Sequence, residues 1–297
     1  MTTGAAAAVD NKVRQVVSNI RNLPTPPIVF TQIQKVTNDP DASAIKVAAV
    51  LSEDPAMSVK VLKLTNSAFY GLSREVASVK QAVMIVGMEA IKNLVLSASI
   101  LEMFKDMNID SRYQERFWRH SLAVGSCCRV LGRRVHGKGF LDPDTAFSAG
   151  LLHDIGKMVI SCYLTEEFSR FVEARKNDTS LTDFELEEQL LGFTHTQIGA
   201  FLATHWKLPQ PLCNAIAFHH RPQTCKQQNP LVHITHLADY LAKKTFYDEN
   251  ERHLVGNIQD GVPGYLQLAE DDLADIDDAL KAEYERSETF MSMLGMT

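Results

Sequence analysis

Cysteine is scarce and unpatterned in this 297-residue chain. Its five cysteines, Cys127, Cys128, Cys162, Cys213 and Cys225, form no CxxC pair. That excludes a thiolate zinc module and a disulfide framework, and it predicts a reducing compartment. Positive charge is also in short supply. Thirty Lys and Arg against 36 Asp and Glu give a formal charge of −6, so neither nucleic acid nor an anionic membrane surface is an expected partner. Long apolar runs are missing too: the longest stretch, Ala82–Phe104, is interrupted by Glu89, Lys92 and Asn93, and no membrane-spanning helix is expected. The opening MTTGAAAAVD has neither the basic nor the apolar part of a secretory signal, which points to a cytoplasmic protein. There is no repeat of fixed period, no Gly-x-Ser-x-Gly element and no dinucleotide-binding fingerprint.

What is present reads with a helical period nearly throughout. Composition is that of a globular protein, 45% hydrophobic and 22% charged, and a chain this long can bury a core without a metal or disulfide staple. Asn11–Arg21 sets Val13, Val16, Val17 and Ile20 on one face, and the prolines of LPTPP (Leu23–Pro27) stop that helix. A second helix is predicted over Ile28–Asn38, and a third from a Ser43 cap through Leu51. A fourth runs from Asp54-Pro55 to Gly71, and a fifth starts at Ser78 and is interrupted at Gly87. Met88–Phe104 continues with little polar relief. A second block should hold a long helix over Tyr113–Val135 and another opened by Asp142-Pro143 and ending in LLHDIGK. Further helices are expected at Thr165–Lys176, Thr182–Leu191, Thr196–Trp206, Gln210–His219 and Pro230–Lys244. Strand signals are nearly absent. The expected fold is therefore all-α. It has an N-terminal helical unit at 10–108, a second at 109–245 and a C-terminal extension at 246–297 with an acidic helix over Leu273–Met293. The apolar faces of Ile85, Leu94, Leu96 and Leu101 should join the two units as a packed interface.

The ten histidines are unevenly placed, with none before His120. His153-Asp154 and His219-His220 fall at expected helix ends, where two neighbours can turn toward one point, and His195 opens a helix. Imidazole with carboxylate and without thiolate suits iron, manganese, zinc or nickel. In that reading His120, His153, Asp154 and Asp239 hold one ion, while Asp154, His195, His219 and His220 hold a second. Two such ions can clamp a phosphoryl group and activate water, with Lys157 and Lys243 placed to neutralise phosphate charge. The plain alternative is that these histidines cap helix ends or satisfy buried carbonyls. His236, one turn before Asp239, reads equally as a supporting hydrogen-bond partner or a surface residue. Arg129, Arg133, Arg134 and Lys138 read as a solvated basic face. The P-loop-like run from Gly132 to Lys138 lacks the following Ser or Thr and follows a helix, so it reads as a chance match.

LLHDIGK resembles the signature of the HD superfamily of metal-dependent phosphohydrolases. LPTPP, DPAMSVKVLKLTNSAFYG, SVKQAVMIVGMEAIKNLVL, RFWRHSLAVG, HTQIGAFLATHWKLP, AIAFHH and HITHLADYL, in that order over about residues 15–245, resemble the HDOD (HD-related output domain) family of bacterial signalling proteins. The resemblance implies two packed helical bundles, the second HD-like. It places the HD ligand pattern on His120, His153-Asp154 and Asp239, and the dinuclear branch's extra histidines on His195, His219 and His220. With that set complete, it implies two divalent ions, iron or manganese favoured and zinc or nickel as alternatives. Asp154, Lys157 and Lys243 would be the catalytic groups. HHRPQTCKQQNP lacks the GYP loop of the HD-GYP enzymes, so cyclic di-GMP is not the implied substrate. Two functions follow: a phosphohydrolase acting on a nucleotide or other phosphate ester, or a non-catalytic output module whose metal site is structural or ligand-sensing. The partner would be a phosphate-containing small molecule or a signalling protein. No receiver or sensor segment is read in the chain, so the input is expected from another chain or a small ligand.

Overall fold

The computed structural model describes residues 13–18, 20, 24–105, 107, 109–136, 141–178, 180–227 and 229–293. Asn11, Arg21 and Leu23 of the first predicted helix and its stop, and Gly137 to Gly139 beside the basic cluster, lie outside the described residues. Among those described there is no strand, and the protein is all-α as expected.

Most helix starts follow from the side chain that precedes them. Ser43, Asp54, Ser78 and Asp142 each accept a hydrogen bond from a backbone N–H of the first turn, satisfying a donor the helix cannot use itself. Thr182 and Glu185 close a reciprocal capping box at the head of Asp183–Leu190. Gly87, at φ 97°, separates Val79–Val86 from Met88–Lys105, a backbone conformation that only glycine adopts without strain. These two helices turn by 116° at that break. No single helix among the described residues is long and apolar enough to cross a membrane; only the combined length of this bent pair would be. Most of Met88–Lys105 is buried in the core.

Five expectations are corrected. The helix from Pro55 ends at Thr65, not at Gly71, because the Asn66 amide donates to Val76 O (2.9 Å) and accepts from Val76 N (2.7 Å), folding the chain back as a loop. LLHDIGK does not end one helix. Pro143–Leu152 stops before His153, and Ile155–Tyr163 begins after Asp154. Ile85 is half exposed, unlike buried Leu94, Leu96 and Leu101. Arg129 is buried and Arg133 and Arg134 are ion-paired: Arg129 and Arg133 hold Glu283 (2.9 and 2.8 Å), and Arg134 holds Asp275 (2.8 Å). The supposed solvated face is where the C-terminal extension docks. Where that extension was expected to hold one acidic helix over Leu273–Met293, Glu270–Ala274 and Ile276–Met293 are two separate helices.

One cluster of buried apolar residues includes Val95 and Leu101 from before residue 108 and Trp118, Leu151 and Ile160 from after it. Polar side chains cross at the same place, with Asn93 donating to Thr145 Oγ1 (2.9 Å) and Ser97 3.3 Å from Ser148. Two glycines let the site-bearing helices approach closely. A Cβ on Gly150 would stand 2.7 Å from Val124 O and 2.8 Å from Gly125 Cα, where Ser111–His136 crosses Pro143–Leu152. A Cβ on Gly156 would collide with His195 O and stand 2.7 Å from Gly199 N. The glycine of LLHDIGK thus allows His195 to reach Asp154.

Candidate metal centre

Seven residues from five segments meet in the interior. His120 projects from Ser111–His136, and His153 and Asp154 occupy the two-residue turn between helices. His195 is the first residue of His195–His205, His219 and His220 follow Gln210–Phe218, and Asp239 lies on Pro230–Phe246. Ligand-type atoms of Asp154, His195, His219 and His220 lie within 4.8 Å of one another, as do those of His120, His153 and Asp239. Asp154 stands between the two groups. Its Oδ1 is 3.0 Å from His195 Nε2 and 3.5 Å from His219 Nε2, and its Oδ2 is 3.4 Å from His153 Nε2 and 3.7 Å from His120 Nε2. Asp239 Oδ1 is 3.2 Å from His120 Nε2 and 3.7 Å from His153 Nε2. His220 Nε2 is 3.2 Å from His195 Nε2.

The histidines are oriented from outside the cluster. His153 Nδ1 meets Gly150 O at 2.7 Å, His219 Nδ1 meets Ile216 O at 3.1 Å, and His195 Nδ1 meets Glu187 Oε2 at 2.7 Å. The Tyr247 hydroxyl is 3.4 Å from His120 Nδ1. With Nδ1 engaged outward, each ring turns Nε2 inward, an arrangement typical of metal-ligating histidines. The test of fit is what faces inward. His120 Nε2, His153 Nε2, His219 Nε2, Asp154 Oδ1 and Asp239 Oδ1 are buried with no hydrogen-bond partner. Buried polar atoms are rarely left so, and five converging in one place is the donor set a cation would satisfy. The residues fit a metal.

Electrostatics follow the same geometry. Burial favours the neutral ring and lowers His120 and His219 to about 4 and His220 well below its ordinary value. Burial acts the same way on His153, but the Asp154 and Asp239 carboxylates outweigh it and push it up to about 9. Burial alone would raise Asp154 and Asp239, yet the facing histidines and lysines hold both well below the usual carboxylate range. Lys157 Nζ lies 2.7 Å from Asp154 Oδ2, and Lys243 Nζ lies 2.8 Å from Asp239 Oδ2. Lys243 thus takes Asp239 Oδ2 and leaves Oδ1 to His120 and His153, whereas Lys157 shares Asp154 Oδ2 with the His120 and His153 side and leaves Oδ1 to His195 and His219. Lys157 does not extend to solvent.

Three supporting residues were not singled out from the sequence. Glu187 receives both the backbone N–H and the ring of His195, Asp183 sits 3.6 Å from Lys157, and Tyr247 abuts His120. No spacing rule links them to the histidines; a carboxylate on the helix just before His195 was the single available hint. His236 is buried rather than on the surface. Its Nδ1 donates to His219 O (2.7 Å), and its Nε2 accepts from Gln259 N (2.9 Å). It steadies the His219 backbone and makes no hydrogen bond to Asp239. Three cavities reach the cluster. One, of about 340 Å³, touches His120, Asp154 and Lys157; a second, of about 530 Å³, touches His220, Asp239 and Lys243; a third, of about 460 Å³, touches His120.

The profile of the HDOD domain matches residues 23–222, a span that includes six of the seven clustered residues and stops short of Asp239. A Treponema pallidum protein described as uncharacterized is 26% identical over 259 residues, covering 86% of this chain and 48% of its own. The chain thus spans about half the length of that curated relative. Among solved structures, one from Shewanella amazonensis SB2B, provisionally named a phosphohydrolase, superposes with a TM-score of 0.72 at 23% identity, covering 94% of this chain and 97% of the other. Another from Marinobacter aquaeolei VT8, provisionally named a signal transduction protein, reaches 0.74 at 20% identity over 99% of this chain and 67% of the other. At such identities the likeness is one of fold.

Proposed function

The chain belongs to the HDOD family, and on that premise we propose that its histidine–carboxylate cluster holds two divalent ions and hydrolyses a phosphate ester in bacterial signalling. The observation that carries this reading is Asp154, whose two oxygens face two different sets of inward-turned imidazole nitrogens, three of which, on His120, His153 and His219, have no hydrogen-bond partner. His120, His153, Asp154 and Asp239 would hold one ion, and Asp154, His195, His219 and His220 the other. Nitrogen and oxygen donors without thiolate suit iron, manganese, zinc or nickel, and the family resemblance favours the first two. When bound, the ions would supply Lewis acidity toward phosphoryl oxygens and an activated water. The protein's own groups do the rest. Lys157 and Lys243 keep Asp154 and Asp239 ionised, and both border a cavity leading to the centre, where they would also stabilise charge on phosphate oxygens. Glu187 keeps His195 in the tautomer that presents Nε2. The substrate would be a nucleotide or another phosphate ester, met in the cytoplasm; nucleic acid and membrane are not proposed as partners.

Complete burial of His153, His195 and His219 favours a second reading, in which the centre is structural or senses a ligand and the helical surface engages a signalling protein. Metal analysis followed by a phosphoester and nucleotide hydrolysis panel separates the two. Metal-dependent turnover supports the enzyme, whereas metal-loaded protein that turns over nothing supports the output module. Glu187→Ala is expected to weaken metal binding about 10–100-fold, as loss of a ligand's supporting carboxylate does. Competition with a chelator measures it, and unchanged affinity would remove Glu187 from the site.

A further inference from the structure

The Thr165–Asn177 helix carries Phe168, Phe171 and Val172 at i, i+3 and i+4, yet none of its residues is buried. A stripe with that spacing normally faces the core. Here it lines the 340 Å³ cavity together with Tyr113, Phe117 and Ile160. The rings are braced: Tyr113 meets Phe168 edge-on at 4.9 Å, and buried Phe117 meets Trp118 at 4.8 Å. The volume suits a small molecule, whose sites run about 300–1,000 Å³. One end of this cavity is made by His120, Asp154 and Lys157 of the centre.

The cations in the wall already have partners. Arg116 pairs with Glu251, Arg175 with Asp183 (2.8 Å) and Lys157 with Asp154 (2.7 Å). Burial pushes the Tyr113 phenol up, so it stays neutral. A charged group entering here would give up water without gaining an unmatched counter-charge, whereas a neutral one covers apolar surface that the fold leaves wet.

We propose that this cavity receives the neutral, planar aromatic half of a phosphoester whose phosphate lies at the centre. The proposal rests on the reading of that centre as a phosphate-ester site. Five of the lining side chains, Tyr113, Phe117, Phe168, Phe171 and Tyr247, carry rings, and a ring gains offset or edge-on contacts from other rings that an alkyl chain does not.

Binding of phosphonates, whose P–C bond resists hydrolysis, tests this without turnover. Metal-loaded protein is titrated calorimetrically with methylphosphonate, hexylphosphonate and 1-naphthylmethylphosphonate. The naphthyl compound is expected to bind about 10–100-fold more tightly than methylphosphonate, and more tightly than the hexyl compound. Phe171→Ser, and Val172→Trp at an exposed position where folding is not at risk, should each erase most of that advantage. Neither should alter bound metal or methylphosphonate affinity. Metal-loaded protein that binds the methyl and naphthyl compounds equally, or prefers hexylphosphonate, overturns the cavity proposal and leaves the phosphate site standing. An advantage that survives in both variants also overturns the cavity proposal. Protein that takes up none of iron, manganese, zinc or nickel, or that binds no phosphonate when loaded, overturns the reading of the centre and this proposal with it.

Discussion

Asp154→Ala is expected to empty the centre of both ions while leaving the helical content of the protein close to wild type. Among the described residues, Asp154 is the side chain whose two oxygens reach both groups of histidines. Removing it takes a ligand from each ion at once, so the loss of affinity should exceed the about 10–100-fold that follows removal of a supporting group. The charge balance moves the same way. Lys157, partly buried and held ionised largely by Asp154, would keep Asp183 at 3.6 Å as its nearest carboxylate and add positive charge where a cation must sit. The fold has no comparable stake in this carboxylate. The caps that start the surrounding helices are local, and the apolar clusters on either side are extensive. Metal analysis by mass spectrometry, paired with far-ultraviolet circular dichroism, reads both halves of the expectation. Retention of two ions would remove Asp154 as a bridge. Loss of helix along with metal would make the centre a structural element, and the hydrolase reading would lose its main support.

How much of this was legible beforehand depends on whether the deciding partner was local. Ser43, Asp54, Ser78 and Asp142 cap their helices through a donor within three residues, so those starts could be read directly. Asn66 could not: the helix it ends is stopped by pairing with Val76, ten residues on, and no propensity reports such a loop. The inward residues, His120 through Asp239, were nameable because histidine and aspartate at helix ends suggest ligation and the order of the segments resembles a known family. Their supports were not nameable. Glu187 is an ordinary acid on an amphipathic helix until folding brings His195 onto it. The basic run at Arg129–Arg134 misled for the same reason, since its counter-charges, Asp275 and Glu283, lie about 150 positions later.

That misread cluster carries the second large effect. Arg129 is 5% exposed and touches three parts of the molecule. It donates to Phe69 O (2.8 Å) from the N-terminal helices and to Glu283 Oε1 (2.9 Å) from the C-terminal extension. It also faces Asp144 Oδ1 at 3.1 Å, in the first turn of the helix that leads to His153. Its guanidinium lies 3.9 Å from the Phe69 ring centroid. Arg129→Met would leave a buried carbonyl and two carboxylates short of a donor. Stripping one partner from a buried ion pair costs about 3–5 kcal/mol, and at roughly 2–4 °C per kcal/mol for a protein of this size the Tm should fall by about 6–20 °C. Acid sensitivity should change as well. Burial by itself would raise Glu283, but the hydrogen bond from Arg133 and the charges of Arg129, Arg133 and Arg286 hold it below the ordinary glutamate value. A carboxyl lowered in the folded state adds stability above its unfolded pKa, about 4.3, and that stability is lost as pH falls through the folded value. Wild type should therefore lose stability on acidification below about pH 4.3, and the variant should lose less because part of that contribution is already gone. Thermal unfolding at pH 7 and at successively lower pH measures both slopes, and limited proteolysis should release the extension sooner from the variant. A Tm within about 2 °C of wild type at neutral pH would mean that Arg133 and Arg286 alone hold Glu283, and that the extension is fastened at the surface rather than through the core.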